Sequence, residues 1–261
     1  MHRLSVITAC SSLLLVLNTG FAQSDESAVT SLGRLEPKGG IIELAGPSGG
    51  SSVIGQLNVA EGDQVTEGQV LAVLDSYSKL KAELGRLQAI LENAEKTLTR
   101  QKDLSRTSST SRSKLDDAEL DVQVAKADIA IGIVELNQAQ IKSPINGQIL
   151  EIHAYRGERI GDKGVLELGQ TQTMYVVAEI YETDINKISI GQRATIFSDA
   201  IAEELTGTVE RIGLKIGKKD VFDTDPVAKA DARVIETYIL LDDSAAVARY
   251  TNLQVEVSIQ P

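Results

Sequence analysis

The chain has 261 residues, 42% of them hydrophobic and 24% charged, which is enough apolar side chain to build a core and excludes wholesale disorder. A net charge of −11 excludes a general nucleic-acid binder, because phosphate binding draws on clustered Lys and Arg. Aromatic residues make up only 3% and Trp is absent, which favours several small modules or a long helical element over one large globule.

Residues 1–22 read as an export signal. His2 and Arg3 give a weakly basic start, Leu4 to Leu17 is mostly apolar, and Gly20 and Ala22 put small residues where a signal peptidase reads, so the mature protein should begin near Gln23. Two alternatives stay open. The segment can remain as an uncleaved anchor, although Ser5, Thr8, Ser11, Ser12, Asn18 and Thr19 make it a poor span. The run Ile7-Thr8-Ala9-Cys10 also resembles a lipoprotein cleavage box, but cutting there leaves too short an apolar stretch ahead of it. Cys10 is the single cysteine, so cleavage near Gln23 removes all disulfide and thiol chemistry.

Residues 23–40 form an N-terminal segment in which Val29 to Glu36 is a candidate barrel strand. From 41 to 75 short apolar runs alternate with turn signals, Gly46-Pro47, Gly49-Gly50, Glu61-Gly62-Asp63 and Glu67-Gly68-Gln69, which predicts a small antiparallel β unit. Residues 140–169 repeat that grammar: Gly147-Gln148-Ile149 echoes Gly55-Gln56-Leu57, and Gly164-Val165-Leu166 echoes Gly68-Gln69-Val70-Leu71. Neither stretch, at roughly thirty residues, buries enough apolar surface to stand alone. They should close on each other as halves of one module.

Between the halves, over 76–139, the period changes from two to about 3.5. Leu80, Leu84, Leu87, Leu91, Ala94 and Leu98 make one heptad seam, and Leu115, Ala118, Val122, Ala125, Ile129, Gly132, Leu136 and Ala139 make another. The polar stretch Ser105 to Ser113 separates them, so an antiparallel helical hairpin is predicted, projecting roughly 40 Å. Large Leu residues on the first arm face a second arm that alternates larger residues with Ala or Gly, which allows close packing. Residues 170–261 return to strand-like runs at Met174 to Ile180, Gln192 to Phe197, Gly207 to Ile212, Val234 to Leu241 and Leu253 to Ile259, a small antiparallel barrel with a membrane-proximal region. The fold class is therefore mainly β, with a split lipoyl-like (barrel-sandwich) module, a coiled-coil hairpin and a β-barrel.

This order of parts resembles the HlyD-type membrane-fusion, or periplasmic adaptor, family. Arg100, Leu104 and Ser111, followed by Leu115, Asp116 and Ala118, match that family's R-x3-L-x6-S hairpin-tip pattern. The segments Gly33-Arg34-Leu35-Glu36-Pro37, Tyr181-Glu182-Thr183-Asp184-Ile185, Gly191-Gln192-Arg193-Ala194 and Thr251-Asn252-Leu253-Gln254-Val255 are similar to the DevB-type adaptor of the heterocyst glycolipid ABC exporter. The resemblance implies a periplasmic subunit associated with the inner membrane. Its implied partners are an ABC transporter permease and ATPase, a TolC-like outer-membrane channel met through Arg100, Leu104 and Ser111, and further copies of itself, six by family. The hairpin is shorter than is usual in that family. Chemistry allows the tip roles: an Arg makes charge-assisted hydrogen bonds, a Leu fills an inter-helix groove, and a Ser donates a short hydrogen bond. Each residue also has a plainer reading, Arg100 as a solvated helix residue, Leu104 as a last core contact and Ser111 as the N-cap of the second arm.

No enzyme is expected, and no cofactor or metal. A lipoyl or biotinyl carrier, the rival reading from another class, needs its modified lysine at a tight β-turn, whereas Lys79 and Lys81 fall at the helical start. Only His2 and His153 exist, too few for a metal pair or a well-supported triad, and His153 is expected to be a surface or packing residue. The acidic loop Asp220, Asp223, Asp225 lacks the glycine and distal Glu of a calcium loop. Asp116-Asp117 suits the positive end of a helix dipole.

Overall fold

The computed structural model describes residues 28–47, 52–107, 109–218 and 233–261. The export signal, the Cys10 box and the acidic loop at Asp220, Asp223 and Asp225 lie outside the described residues. In chain order the elements are β1 (Val29–Leu44), β2 (Ile54–Leu57), β3 (Gln64–Val65), β4 (Val70–Leu74), α1 (Tyr77–Arg106), α2 (Arg112–Gln138), β5 (Gln140–Lys142), β6 (Gly147–Ile152), β7 (Leu166–Tyr181), β8 (Arg193–Phe197), β9 (Leu205–Lys218), β10 (Arg233–Leu241) and β11 (Gln254–Ile259).

The repeated grammar on either side of the helices becomes cross-pairing. β3 of the first half pairs with β6 of the second, and β4 of the first with β5 of the second. One core results, filled by Ile54, Leu71 and Leu74 from the first half and by Ile149, Val165, Leu166 and Leu168 from the second. The split module predicted from sequence is therefore present, and each half supplies the apolar cover that the other lacks.

The barrel closes because β1 pairs with both β11 and β7 in the ring β1-β11-β8-β9-β10-β7. It has six strands; the sixth is the N-terminal β1, which begins at Val29. Leu35, Met174, Val176, Ile180, Ile196, Ile239 and Ile259 fill its interior. Asp242, just past β10, is clamped by Arg193 of β8 through contacts of 2.5 and 3.1 Å, and Thr206 donates to it at 2.6 Å. The Arg193 hydrogen bonds, with the one from Thr206, hold this carboxyl down at about 2.

Module and barrel share two strands. The strand expected to start at Met174 already begins at Leu166 and runs through both units. Its even-numbered residues face both interiors: Leu166 and Leu168 enter the module core, Met174, Val176, Ala178 and Ile180 the barrel core. β1 accompanies it but does not keep parity. Leu35 faces the barrel interior, whereas Ile42 and Leu44 pack on the module core. Between the pairs Pro37↔Met174 and Ile42↔Leu168, β1 advances five residues while β7 covers six. Gly39 and Gly40 absorb this slip with φ of 81° and 78°, a region that residues with a Cβ avoid.

The helices pack as an antiparallel pair of 30 and 27 residues, about 45 Å for the longer one. The size alternation read from the sequence is realised at Gly132, where a Cβ would stand 3.1 Å from Leu87 Cδ1 and 3.4 Å from Leu84 Cδ1. The glycine lets two leucines lie against the α2 backbone. Lys102–Glu119 and Lys126–Glu95, each at 3.8 Å, link the arms across the seam. Leu80, the first residue of the expected seam, packs instead with Tyr77 against the module core.

Candidate functional site

The hairpin turn is built by backbone capping. The Leu104 carbonyl accepts from the Thr107 and Ser109 amides at 3.2 and 2.9 Å and from Thr107 Oγ1 at 3.0 Å, which ends α1. Ser111 has extended backbone, and its Oγ accepts from the Lys114 amide at 3.3 Å; it is the N-cap of α2. Thr110 Oγ1 donates to Gln101 Oε1 at 2.7 Å, closing the turn onto α1.

Arg100 and Leu104 lie four residues apart, on one face of the last turns of α1. Both are exposed, Leu104 at 37%, so the last-core-contact reading of Leu104 does not hold. Ser111 starts the other arm. The capping bond uses an oxygen lone pair and leaves the Ser111 hydroxyl proton free to donate outward. Capping and an outward hydrogen bond are therefore compatible in one side chain. Lys79 and Lys81 sit exposed on the first turns of α1, in helix rather than in a β-turn.

Reading for buried seams alone misses a second feature of α2. Leu120, Val124, Ile131 and Val134 are each more than half exposed. They step by four, seven and three, which with Ala127 in the gap is again a heptad row, displaced two positions from the buried one and so on the opposite side of the helix. Among the described residues no helix packs on this row.

At the junction of barrel and module, an open cleft of about 630 Å³ is lined by Glu36, Lys38, Tyr175, Glu210, Arg211 and Tyr238. Arg34 bonds Glu36 at 2.6 Å and Glu236 at 3.0 Å and lies 3.6 Å from buried Glu179. Gly33 beside it lets the strands close, since a Cβ there would stand 2.8 Å from the Val177 carbonyl. Burial would raise the Glu236 carboxyl, but hydrogen bonds from Tyr238 and Arg34 bring it below its usual range. Burial and a hydrogen bond to Glu210 push the Tyr175 phenol up to about 12. The Arg211 guanidinium stacks 3.4 Å over the Tyr238 ring. These contacts lock β1, β7, β9 and β10 together.

His153, expected at the surface or in packing, has a side chain only 8% exposed between Glu151 and Glu167. Among the described residues no helix is long and apolar enough to cross a membrane.

Residues 49–168 match the family described as CzcB-like, barrel-sandwich hybrid domain. The cobalt-zinc-cadmium resistance protein CzcB of Cupriavidus metallidurans is 30% identical over 173 residues, 60% of this chain and 33% of that protein. The pyoverdine export membrane fusion protein PvdR of Pseudomonas putida is 28% identical over 200 residues, 65% of this chain and 50% of that one. This chain thus matches only a third to a half of their length. Among solved structures, a MacA-MexA chimera carrying the Pseudomonas aeruginosa MexA α-hairpin aligns with a TM-score of 0.72 at 22% identity, over 90% of this chain and 82% of the other, which shows a shared fold. The narrower likeness to the DevB type rests only on the four short segments quoted above. Residues 49–168 are thus a barrel-sandwich hybrid domain of the CzcB-like kind, and around that domain the chain is similar to a cation-resistance protein and a membrane fusion protein.

Proposed function

We propose that the chain is a periplasmic adaptor of an ABC-type export system, coupling an inner-membrane permease and ATPase to a TolC-like outer-membrane channel. The observation that carries this reading is the hairpin. Two capped helices project from a barrel-sandwich module and present exposed Arg100 and Leu104 beside the Ser111 cap. Arg100, Leu104 and Ser111 there offer a cation, an apolar side chain and a hydroxyl donor, a set suited to a groove between channel helices. In this reading the barrel faces the transporter, the partner ATPase supplies the energy, and the adaptor seals the conduit.

Self-association follows from the second row on α2. A heptad row with no partner among the described residues finds one in a second copy's hairpin, and side-by-side repetition closes a ring, six copies by family resemblance. The cargo is left open: the two relatives are named for cobalt-zinc-cadmium resistance and pyoverdine export, and the glycolipid reading rests on the DevB likeness alone.

Photo-cross-linking in cells tests the bridge, with the probe at Leu104 or Ser111 and, as control, at exposed Glu256 in the barrel. A channel adduct from the tip positions only is the expected result. Adducts with the transporter and none with a channel at either tip position would instead leave an inner-membrane accessory protein.

A further inference from the structure

Glu151 and His153 are two residues apart at the end of β6, so their side chains share a face. Glu167 on β7 is the cross-strand partner of Glu151, and Glu43 on β1 is the cross-strand partner of Glu167. Three carboxylates thus stand in a row across three strands, an arrangement of like charges that weakens strand pairing unless positive charge intervenes. Among the described residues, no Lys or Arg lies within ion-pairing distance of Glu43, Glu151 or Glu167. The group that intervenes is His153, with Nε2 3.0 Å from Glu167 Oε1 and Nδ1 3.5 Å from Glu151 Oε1.

A neutral imidazole has one N–H, so it donates to one carboxylate and turns a lone pair toward the other. A metal cation resolves that conflict, because it takes a ring lone pair and carboxylate oxygens together. One ligand atom from each of Glu151, His153 and Glu167 lies within 4.8 Å of the others. That is wider than the roughly 3.3 Å donor edge of a tetrahedral zinc site with bonds of about 2.0 Å. Glu151, whose side chain is 57% exposed, is free to swing inward and close the difference, while the nearly buried ring is already fixed in place.

We propose that Glu151, His153 and Glu167 form a binding site for one divalent first-row transition cation such as Zn²⁺ on the outer face of the barrel-sandwich module. One imidazole nitrogen and two carboxylates are borderline-to-hard donors, which zinc accepts, and water completes the shell. The ion ties β6 to β7, the strand that continues into the barrel, so occupancy stiffens the module where it meets the rest of the chain. This inference does not depend on the adaptor reading.

Zinc titration by calorimetry tests it, using the full chain without a polyhistidine tag. One equivalent should bind saturably with micromolar affinity, and excess zinc should raise the unfolding midpoint. His153→Gln should abolish binding. Glu151→Gln, on an exposed side chain that leaves the fold intact by circular dichroism, should weaken it at least tenfold. Cobalt binding to the wild type should give visible d–d absorption that both variants lose. No saturable zinc binding, or equal binding by wild type and Glu151→Gln, overturns the site and leaves His153 as a packing residue that hydrogen-bonds Glu167.

Discussion

Ser111 serves two purposes that mutation can separate. Ser111→Ala removes the cap on the Lys114 amide and should cost about 1 kcal/mol of hairpin stability, read from urea denaturation followed by circular dichroism. Ser111→Asp keeps a capping oxygen but loses the hydroxyl donor, so it should hold hairpin stability while weakening Leu104-probed channel cross-linking. Equal cross-linking by wild type and Ser111→Asp would restrict the residue to capping. At the Asp242 clamp the sign follows from the lowered carboxyl. Folding is favoured by this group above its ordinary value near 3.8, and that contribution is lost as pH falls from there toward about 2. The pair is partly exposed, so Asp242→Asn should remove no more than about 1 kcal/mol at pH 7, and the difference from wild type should shrink toward pH 2 in acid titrations of stability. The placement of Arg100, Leu104 and Ser111 at the hairpin turn was legible in the sequence because the polar break between the two heptad seams is local. Glu151, His153 and Glu167 were not: a Glu-x-His pair on one strand meets its third member only through strand pairing with β7, and no local spacing records that.

In the helices the buried seam was legible because its period is local and its register needs only two neighbouring arms. Its consequence at Gly132 can be tested. A leucine there would drive a branched side chain into Leu84 and Leu87, and overpacking of this kind costs about 1–3 kcal/mol. Gly132→Leu should therefore lower the urea midpoint of the hairpin and break the Lys126–Glu95 and Lys102–Glu119 pairings, whereas Gly132→Ala gains helix propensity that offsets the tight contact. The outward row was equally present in the sequence, at Leu120, Val124, Ile131 and Val134, but it emerges only once the facing side of α2 is known to be covered by α1. Its members touch no core, so Val124→Glu with Ile131→Glu should leave helicity unchanged by circular dichroism. Sedimentation velocity should show the assembled wild type reduced to monomer by this pair. A doubly substituted chain that assembles as well as wild type would assign the contacts between copies to the module or barrel instead.

Across the whole molecule, the split module and a β-barrel were readable because each short run carries its own alternation. What joins them was not. The sequence places a boundary between module and barrel at 169/170, yet β7 crosses it without changing parity, and the compensating slip is placed in β1 at two glycines whose φ values are positive. Parity on β1 is a non-local property: Leu35, Ile42 and Leu44 do not reveal on their own that they face two different cores. The shared strands make a thermodynamic claim. If module and barrel were beads on a string, removing a side chain from one core would leave the other untouched. Here Leu168 of the module and Ile180 of the barrel are both fully buried on the same strand, and β1 pairs along nearly all of it. Leu168→Ala and Ile180→Ala should each cost about 2–5 kcal/mol and shift one common unfolding transition. Amide exchange gives the decisive reading: Leu168→Ala should lower protection at Ile239 in the barrel as well as at Ile149 in the module, because opening β7 in one core unpairs it in the other. A variant that loosens Ile149 alone, or that splits denaturation into two steps, would show that the Gly39–Gly40 slip uncouples the cores. Replacing Gly40 with Val, at about 1–2 kcal/mol for a forced positive φ, should then destabilise only the strand pairing local to the junction, instead of lowering protection on both sides of it.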